Sequence, residues 1–175
     1  LLTAPGKGRA LARVDPASYT VQTVASGLAR PWAVASLPDG RLLVTEMAGR
    51  LLVIGAQGDV TPVDLSGLPD LFHRGASTGL MDLVLDPTFA QNRQLYLSFG
   101  YGAEGANGTR LVRATWQDDA LQDLRVLFSS TLKDTDGSNG GRLAFMPDGT
   151  LVLSVGDGTA PRMDAQDPRR HQGKL

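Results

Sequence analysis

The strongest constraint on this chain is a unit that occurs three times: an apolar strand, a proline-centred turn and a second apolar strand. The copies read WAVASLPDGRLLVTE, LMDLVLDPTFAQNRQLYLSF and GRLAFMPDGTLVLSVGD, and their central prolines, Pro38, Pro87 and Pro147, stand 49 and 60 residues apart. Repeats of this length suggest propeller blades, four-stranded sheets that bury their faces only against neighbouring blades. At ~50 to 60 residues per blade the chain holds about three, whereas closed propellers typically have about four to eight. The expectation is an all-β partial propeller over residues 19–175, with Leu175 not the natural end. A small β-sandwich, or an assembly with another chain that closes the ring, is the alternative. Residues 1–18, rich in Ala, Gly, Pro and Arg, read as a leader or disordered segment.

Helical periodicity is scarce, and short β-rich runs bounded by turn residues recur. The predicted strands are 19–24, 32–36, 41–46, 50–54, 81–85, 94–99, 110–116, 125–129, 142–145 and 151–155. Twenty-one glycines and ten prolines supply the turns between them. Leu121, Leu124 and Phe128 also fit a helical stripe, but Val126–Ser129 resumes an extended pattern after the Asp118-Asp119 turn signal, which favours a strand.

Seventeen basic and eighteen acidic residues leave a net charge of -1, with no block of like charge to attract nucleic acid or anionic lipid. Apolar runs such as Leu51–Ile54 reach only four residues, against roughly 18 for a bilayer-spanning helix. The absence of cysteine removes disulfides, thiolate nucleophiles and Cys-ligated zinc without fixing the compartment.

Several motifs lose their meaning in context. Gly100-Tyr101-Gly102-Ala103-Glu104-Gly105 matches GxGxxG, but a dinucleotide fingerprint must open a helix, and these glycines lead into another turn and strand. Asp134-Thr135-Asp136 begins like a calcium loop, but Asn139 and Phe145 stand where an EF-hand needs Gly and Glu, leaving at most a looser site of loop oxygens. His73 and His171 lie too far apart for a zinc signature. No GxSxG elbow is present. Trp32 reads as core.

The order of segments is more specific than any one motif. GLARPWAVASLPDGRLLVTEMAGRLLVI, GLMDLVLDPTFAQNRQLYLSFG, GGRLAFMPDGTLVLSVGD and AQDPRRHQGKL together resemble the soluble aldose sugar dehydrogenases dependent on pyrroloquinoline quinone (PQQ), of the glucose/sorbosone dehydrogenase family. The resemblance implies a six-bladed propeller with the quinone on top. It also implies a quinoprotein that oxidises the anomeric hydroxyl of aldoses to lactones, PQQ accepting the hydride, a soluble electron acceptor and a periplasmic or secreted setting. Calcium is implied as well, with its ligands in later blades, so no metal ligand is assigned here and these blades alone are not expected to be active.

In that family a histidine takes the proton of the sugar hydroxyl and an aspartate orients it, with the cofactor doing the redox step. The aspartate position is Asp157, and nineteen residues upstream the histidine position holds Ser138. A hydroxyl is no base near neutral pH unless another base activates it. Ser77 stands where the family commonly has a glutamine that contacts cofactor and substrate. Ser77, Asn139 and Arg142 are the implied cofactor contacts, and His73, four residues before Ser77, is the candidate substitute base. The competing reading is a carbohydrate- or protein-binding propeller that has lost its chemistry.

Overall fold

The computed structural model describes residues 19–75, 77–159 and 162–175. The predicted leader, residues 1–18, lies outside them. The strands are β1 (Pro31–Ser36), β2 (Leu42–Glu46), β3 (Arg50–Ile54), β4 (Val60–Val63), β5 (Leu80–Leu85), β6 (Gln94–Ala103), β7 (Ala106–Gln117), β8 (Ala120–Ser129), β9 (Gly140–Phe145) and β10 (Leu151–Val155). A single helical turn, α1 (Phe89–Asn92), precedes β6, and a 3-10 turn covers Arg162–Gln166. Pairing is antiparallel between sequence neighbours and gives sheets β1-β2-β3-β4, β5-β6-β7-β8 and β9-β10. The chain therefore supplies about three blades of a propeller: two complete and the opening hairpin of a third.

Each repeat is the first hairpin of a blade, closed by the same device. Asp39 Oδ1 accepts from Arg41 N at 3.0 Å and Asp148 Oδ1 from Thr150 N at 2.9 Å, while Gly40 and Gly149 take the positive φ that the turn requires. In the second repeat Asp86 Oδ1 accepts from Thr88 N at 2.8 Å, and the chain then enters α1, which ends at Arg93 in a left-handed conformation.

Burial by itself would raise the Asp86 carboxyl, but hydrogen bonds involving Thr88, Asn92 and Tyr96 hold it below its ordinary value. A carboxyl lowered in the folded state stabilises above its unfolded pKa and loses that contribution as pH falls through the folded one. Asp86→Asn is therefore expected to flatten the decline in unfolding free energy below pH ~4, measured by urea titration at successive pH values.

The β3 run Leu51–Ile54 is buried throughout because the blade is covered on both faces. Leu43, Leu51 and Val53 face the second blade and pack with Leu80, Leu95, Leu97, Phe99, Val112 and Trp116. Leu42, Val44 and Ile54 face the other way, lining a concavity of about 330 Å³ with Trp32, which is 38% exposed rather than the core residue expected. On the far side Leu111 and Phe128 line a second concavity of about 540 Å³ with β10 residues.

The first strands of successive blades, β1, β5 and β9, pack side by side. Thr45 Oγ1 donates to Met81 O at 2.6 Å and Leu80 N to Met47 O at 3.0 Å, joining the first two blades. Asp82 on β5 accepts from Leu143 N on β9 at 2.8 Å, and Ser98 donates to Gly141 O, joining the second and third.

Two features differ from the sequence expectation, and two readings hold. Residues 19–24 form no strand: Tyr19, Val21 and Val24 are exposed and pair with no strand among the described residues, so β propensity has nothing to act on. The β4 strand carries Pro62, a residue that argues against a strand in sequence but is tolerated on this sheet edge. The glycines of the GxGxxG match sit in β6 and in the hairpin turn to β7, with no helix after them. The stretch with the helical stripe is β8.

Candidate functional site

Because the strands alternate direction, the β2–β3 turn, the β4–β5 loop, the β6–β7 turn, the β8–β9 loop and the segment after β10 emerge at one end of the blades. The proline turns lie at the other end. Predicted residues Ser77, His73, Ser138 and Asp157 all lie on loops at the first end.

Ser138 and Asp157 meet through Thr159. The Ser138 and Thr159 hydroxyls are hydrogen-bonded at 2.6 Å, and Asp157 Oδ1 accepts from Thr159 N at 3.0 Å. Ser138 and Thr159 both adopt left-handed backbone conformations, φ 47° and 73°, which for a β-branched threonine is an outlier of the kind that collects at functional sites. The two loops are pressed together: Gly156 N donates to Asn139 O at 3.0 Å, and a Cβ on Gly156 would collide with the Ser138 carbonyl. Gly156→Ala is expected to part these loops at a cost of about 1–3 kcal/mol, read from urea unfolding of the chain.

Ser77 belongs to the same cluster, since a Cβ placed on Gly137 would lie 2.7 Å from its hydroxyl. The exposed His73 covers Gly79, with its Cδ2 2.9 Å from where a Cβ would stand. Arg74 binds Glu104 and lies 3.4 Å from Asp136 Oδ2, while Arg30 donates to Gly75 O at 2.9 Å. The His73–Ser77 loop is thus tied both to the β6–β7 turn and to the loop that carries Ser138.

Asn139 points into the frame, whereas Arg142 is largely solvated. Asn139 is 1% exposed, and its amide donates to Gly108 O at 2.9 Å, which leaves its Oδ1 buried without a partner. Arg142 reaches from β9 to β5, with Nη1 3.6 Å from Asp82 Oδ1. His171 lies apart from the cluster: its Nδ1 accepts from Thr131 N at 2.9 Å and its ring meets Phe128 edge to face. Among the described residues no group of three His, Asp or Glu is arranged to hold a metal ion.

Sequence reasoning missed Thr159, although a threonine two residues after an aspartate in Gly-Asp-Gly-Thr is the signature of a side-chain-capped turn. It also missed the Arg74 bridge and Lys133, for which no local pattern gives a signal.

Antiparallel sheets of sequence-adjacent strands whose first strands pack side by side are the architecture of a propeller, here with a strained polar cluster at one loop end. The glucose/sorbosone dehydrogenase family model matches residues 28–175, and the chain belongs to that family. It is 36% identical over 164 residues to the aldose sugar dehydrogenase YliI of Escherichia coli, covering 91% of this chain and 44% of the relative. The crystal structure of the soluble E. coli aldose sugar dehydrogenase in its apo form superposes with a TM-score of 0.78, over 88% of this chain and 45% of that one. The PQQ-bound aldose sugar dehydrogenase of Streptomyces coelicolor superposes with a TM-score of 0.70 at 26% identity, over 88% and 46%. The chain thus spans less than half the length of these relatives.

Proposed function

We propose that these blades form one wall of a quinoprotein that oxidises the anomeric hydroxyl of aldoses to lactones, passing the electrons to a soluble acceptor in a periplasmic or secreted setting. Membership of a sugar dehydrogenase family supports the oxidoreductase reading. The observation that carries the finer reading is the convergence of Ser77, Ser138, Thr159 and Asp157 at the loop end.

The donor set fits one side of a quinone. It offers the hydroxyls of Ser77 and Ser138, a backbone kept open by Gly137 and an exposed imidazole at His73, while the buried Asn139 supports the Ser138 loop from beneath. Arg74 is already shared between Glu104 and Asp136, so most of the neutralising charge, calcium included, falls to blades beyond these. When bound, PQQ supplies the two-electron acceptor for the anomeric hydride.

This chain's residues have the proton to manage. A ring nitrogen of His73 takes the proton from the anomeric hydroxyl, since Ser138 has no basic group to do so. The Ser138 hydroxyl, held by Thr159, hydrogen-bonds the sugar or the cofactor. Asp157 fixes the Gly158–Thr159 turn from which that hydroxyl is aimed.

The deciding experiment is an anaerobic titration of the full-length protein with PQQ and calcium, then with an aldose, followed by quinone absorbance. Stoichiometric binding and bleaching by sugar are expected. A protein that binds no quinone would return the binding-module reading.

A further inference from the structure

Beneath the Ser138 and Asp157 loops lies a lysine that the reading so far leaves without a task. Lys133 is 8% exposed. Its Nζ donates to Asn107 Oδ1 at 2.7 Å and to the Thr135 carbonyl, which is on its own loop. Its backbone is bonded both ways to Asn107, N to O at 2.9 Å and O from N at 3.1 Å. Asn107 is fully buried and donates in turn to Asp136 Oδ1 at 2.7 Å, and Asp136 also accepts from Gly105 N at 3.0 Å. The β8–β9 loop is therefore wrapped around one ammonium group.

The stem of Lys133 reaches the second loop. A Cβ on Gly158 would lie 2.7 Å from Lys133 Cδ, so the turn between Asp157 and Thr159 rests on this side chain. Thr135 Oγ1 donates to Gly158 O at 2.5 Å and closes the same contact from the side. One residue thus touches the support of both hydroxyls in the Ser138–Thr159 pair.

Its charge is held at a cost. Burial lowers the Lys133 pKa below the ordinary lysine value, and the opposing pull of Asp136 and Asp134 does not restore it. Desolvation of this cation costs folding free energy, which its hydrogen bonds to Asn107 and Thr135 offset.

We propose that Lys133 is a positioning residue for the Ser138–Asp157 site, its ammonium ordering the loop that carries Ser138 and its stem setting the height of the Asp157–Thr159 turn. The proposal rests on the reading of that pair as the working part of the site. A misplacement of about 1 Å at such a pair can cost on the order of 100-fold in turnover.

The test compares Lys133→Met, Gly158→Ala and Asp157→Asn in the full-length protein, by thermal midpoint, PQQ dissociation constant and steady-state kinetics with glucose. Lys133→Met keeps most of the stem and removes the charge, and its kcat is expected to fall about 10- to 100-fold with KM and quinone affinity within about 3-fold of the parent. Gly158→Ala leaves the lysine intact, lifts the turn off its stem and is expected to lower kcat about 10-fold, which keeps the test open if Lys133→Met does not fold. A lowered thermal midpoint with unchanged kcat in either variant would mark Lys133 as merely structural and overturn the proposal. Weakened quinone binding with unchanged kcat would overturn it too. Asp157→Asn separates the two levels: if it leaves kcat intact, the reading of the site fails, whereas if it lowers kcat and Lys133→Met does not, only the role of Lys133 fails.

Discussion

Replacing Ser138 by histidine in the full-length protein is expected to free aldose oxidation from its dependence on His73, since either imidazole then supplies the positioned general base, a contribution usually worth about 10²- to 10⁴-fold in rate. Ser138 is half-buried between the two loops, and its left-handed backbone suits histidine, which tolerates that region better than most residues. An imidazole there would replace the hydroxyl that meets Thr159, whose amide donates to Asp157 Oδ1. The paired experiment is His73→Asn. On the proposed reading it abolishes turnover in the parent and has little effect in the Ser138→His background. Stopped-flow reduction of the bound quinone by glucose reads both. A Ser138→His protein that binds quinone with parental affinity and still loses turnover on His73→Asn would show that position 138 does not reach the proton.

The largest structural effect is expected from Asp82→Ala. Its side chain is 7% exposed, and it accepts from Leu143 N on the neighbouring blade, accepts from Leu83 N at 3.0 Å and lies against the Arg142 guanidinium. Arg142 is largely solvated, so its pairing contributes little. The buried amides contribute most: each of the two left without an acceptor costs about 1–3 kcal/mol, so a loss of about 2–6 kcal/mol is expected. Urea unfolding of the chain reads it as a lower midpoint with an unchanged slope. A loss under about 1 kcal/mol would mean that the Asp82 hydrogen bonds contribute little to the joint between the two blades. Asp82→Asn, which keeps an acceptor, is expected to lose about half as much.

The blades were legible in the sequence because each carries its own turn chemistry and an apolar period, both local properties. Strand β3 was read at its final limits, since Leu51–Ile54 is bounded by Gly49 and Gly55. What the sequence could not show depended on neighbours. Residues 19–24 have strand-forming side chains and no edge to pair with, and Pro62 hides a strand whose position on the sheet edge is set by tertiary packing.

The site divides in the same way. Asp157, Ser138 and Ser77 were found through the order of segments, and the structure draws them together at one end. That Thr159 joins the first two, and that Lys133 lies under both, follows from contacts spanning 21 to 26 residues, which no local pattern encodes.

The aspartate-capped turns opposite the site bear on the order of folding. Each hairpin they close needs only nearby residues and can form in about 1–10 μs, before any blade has a neighbour. The Ser138, Asp157 and His73 loops have no such autonomy, because their hydrogen bonds reach other loops and blades. They acquire shape only when the blades have docked, so a mutation in a capped turn slows the birth of a hairpin, while one in the loops acts on a scaffold already built.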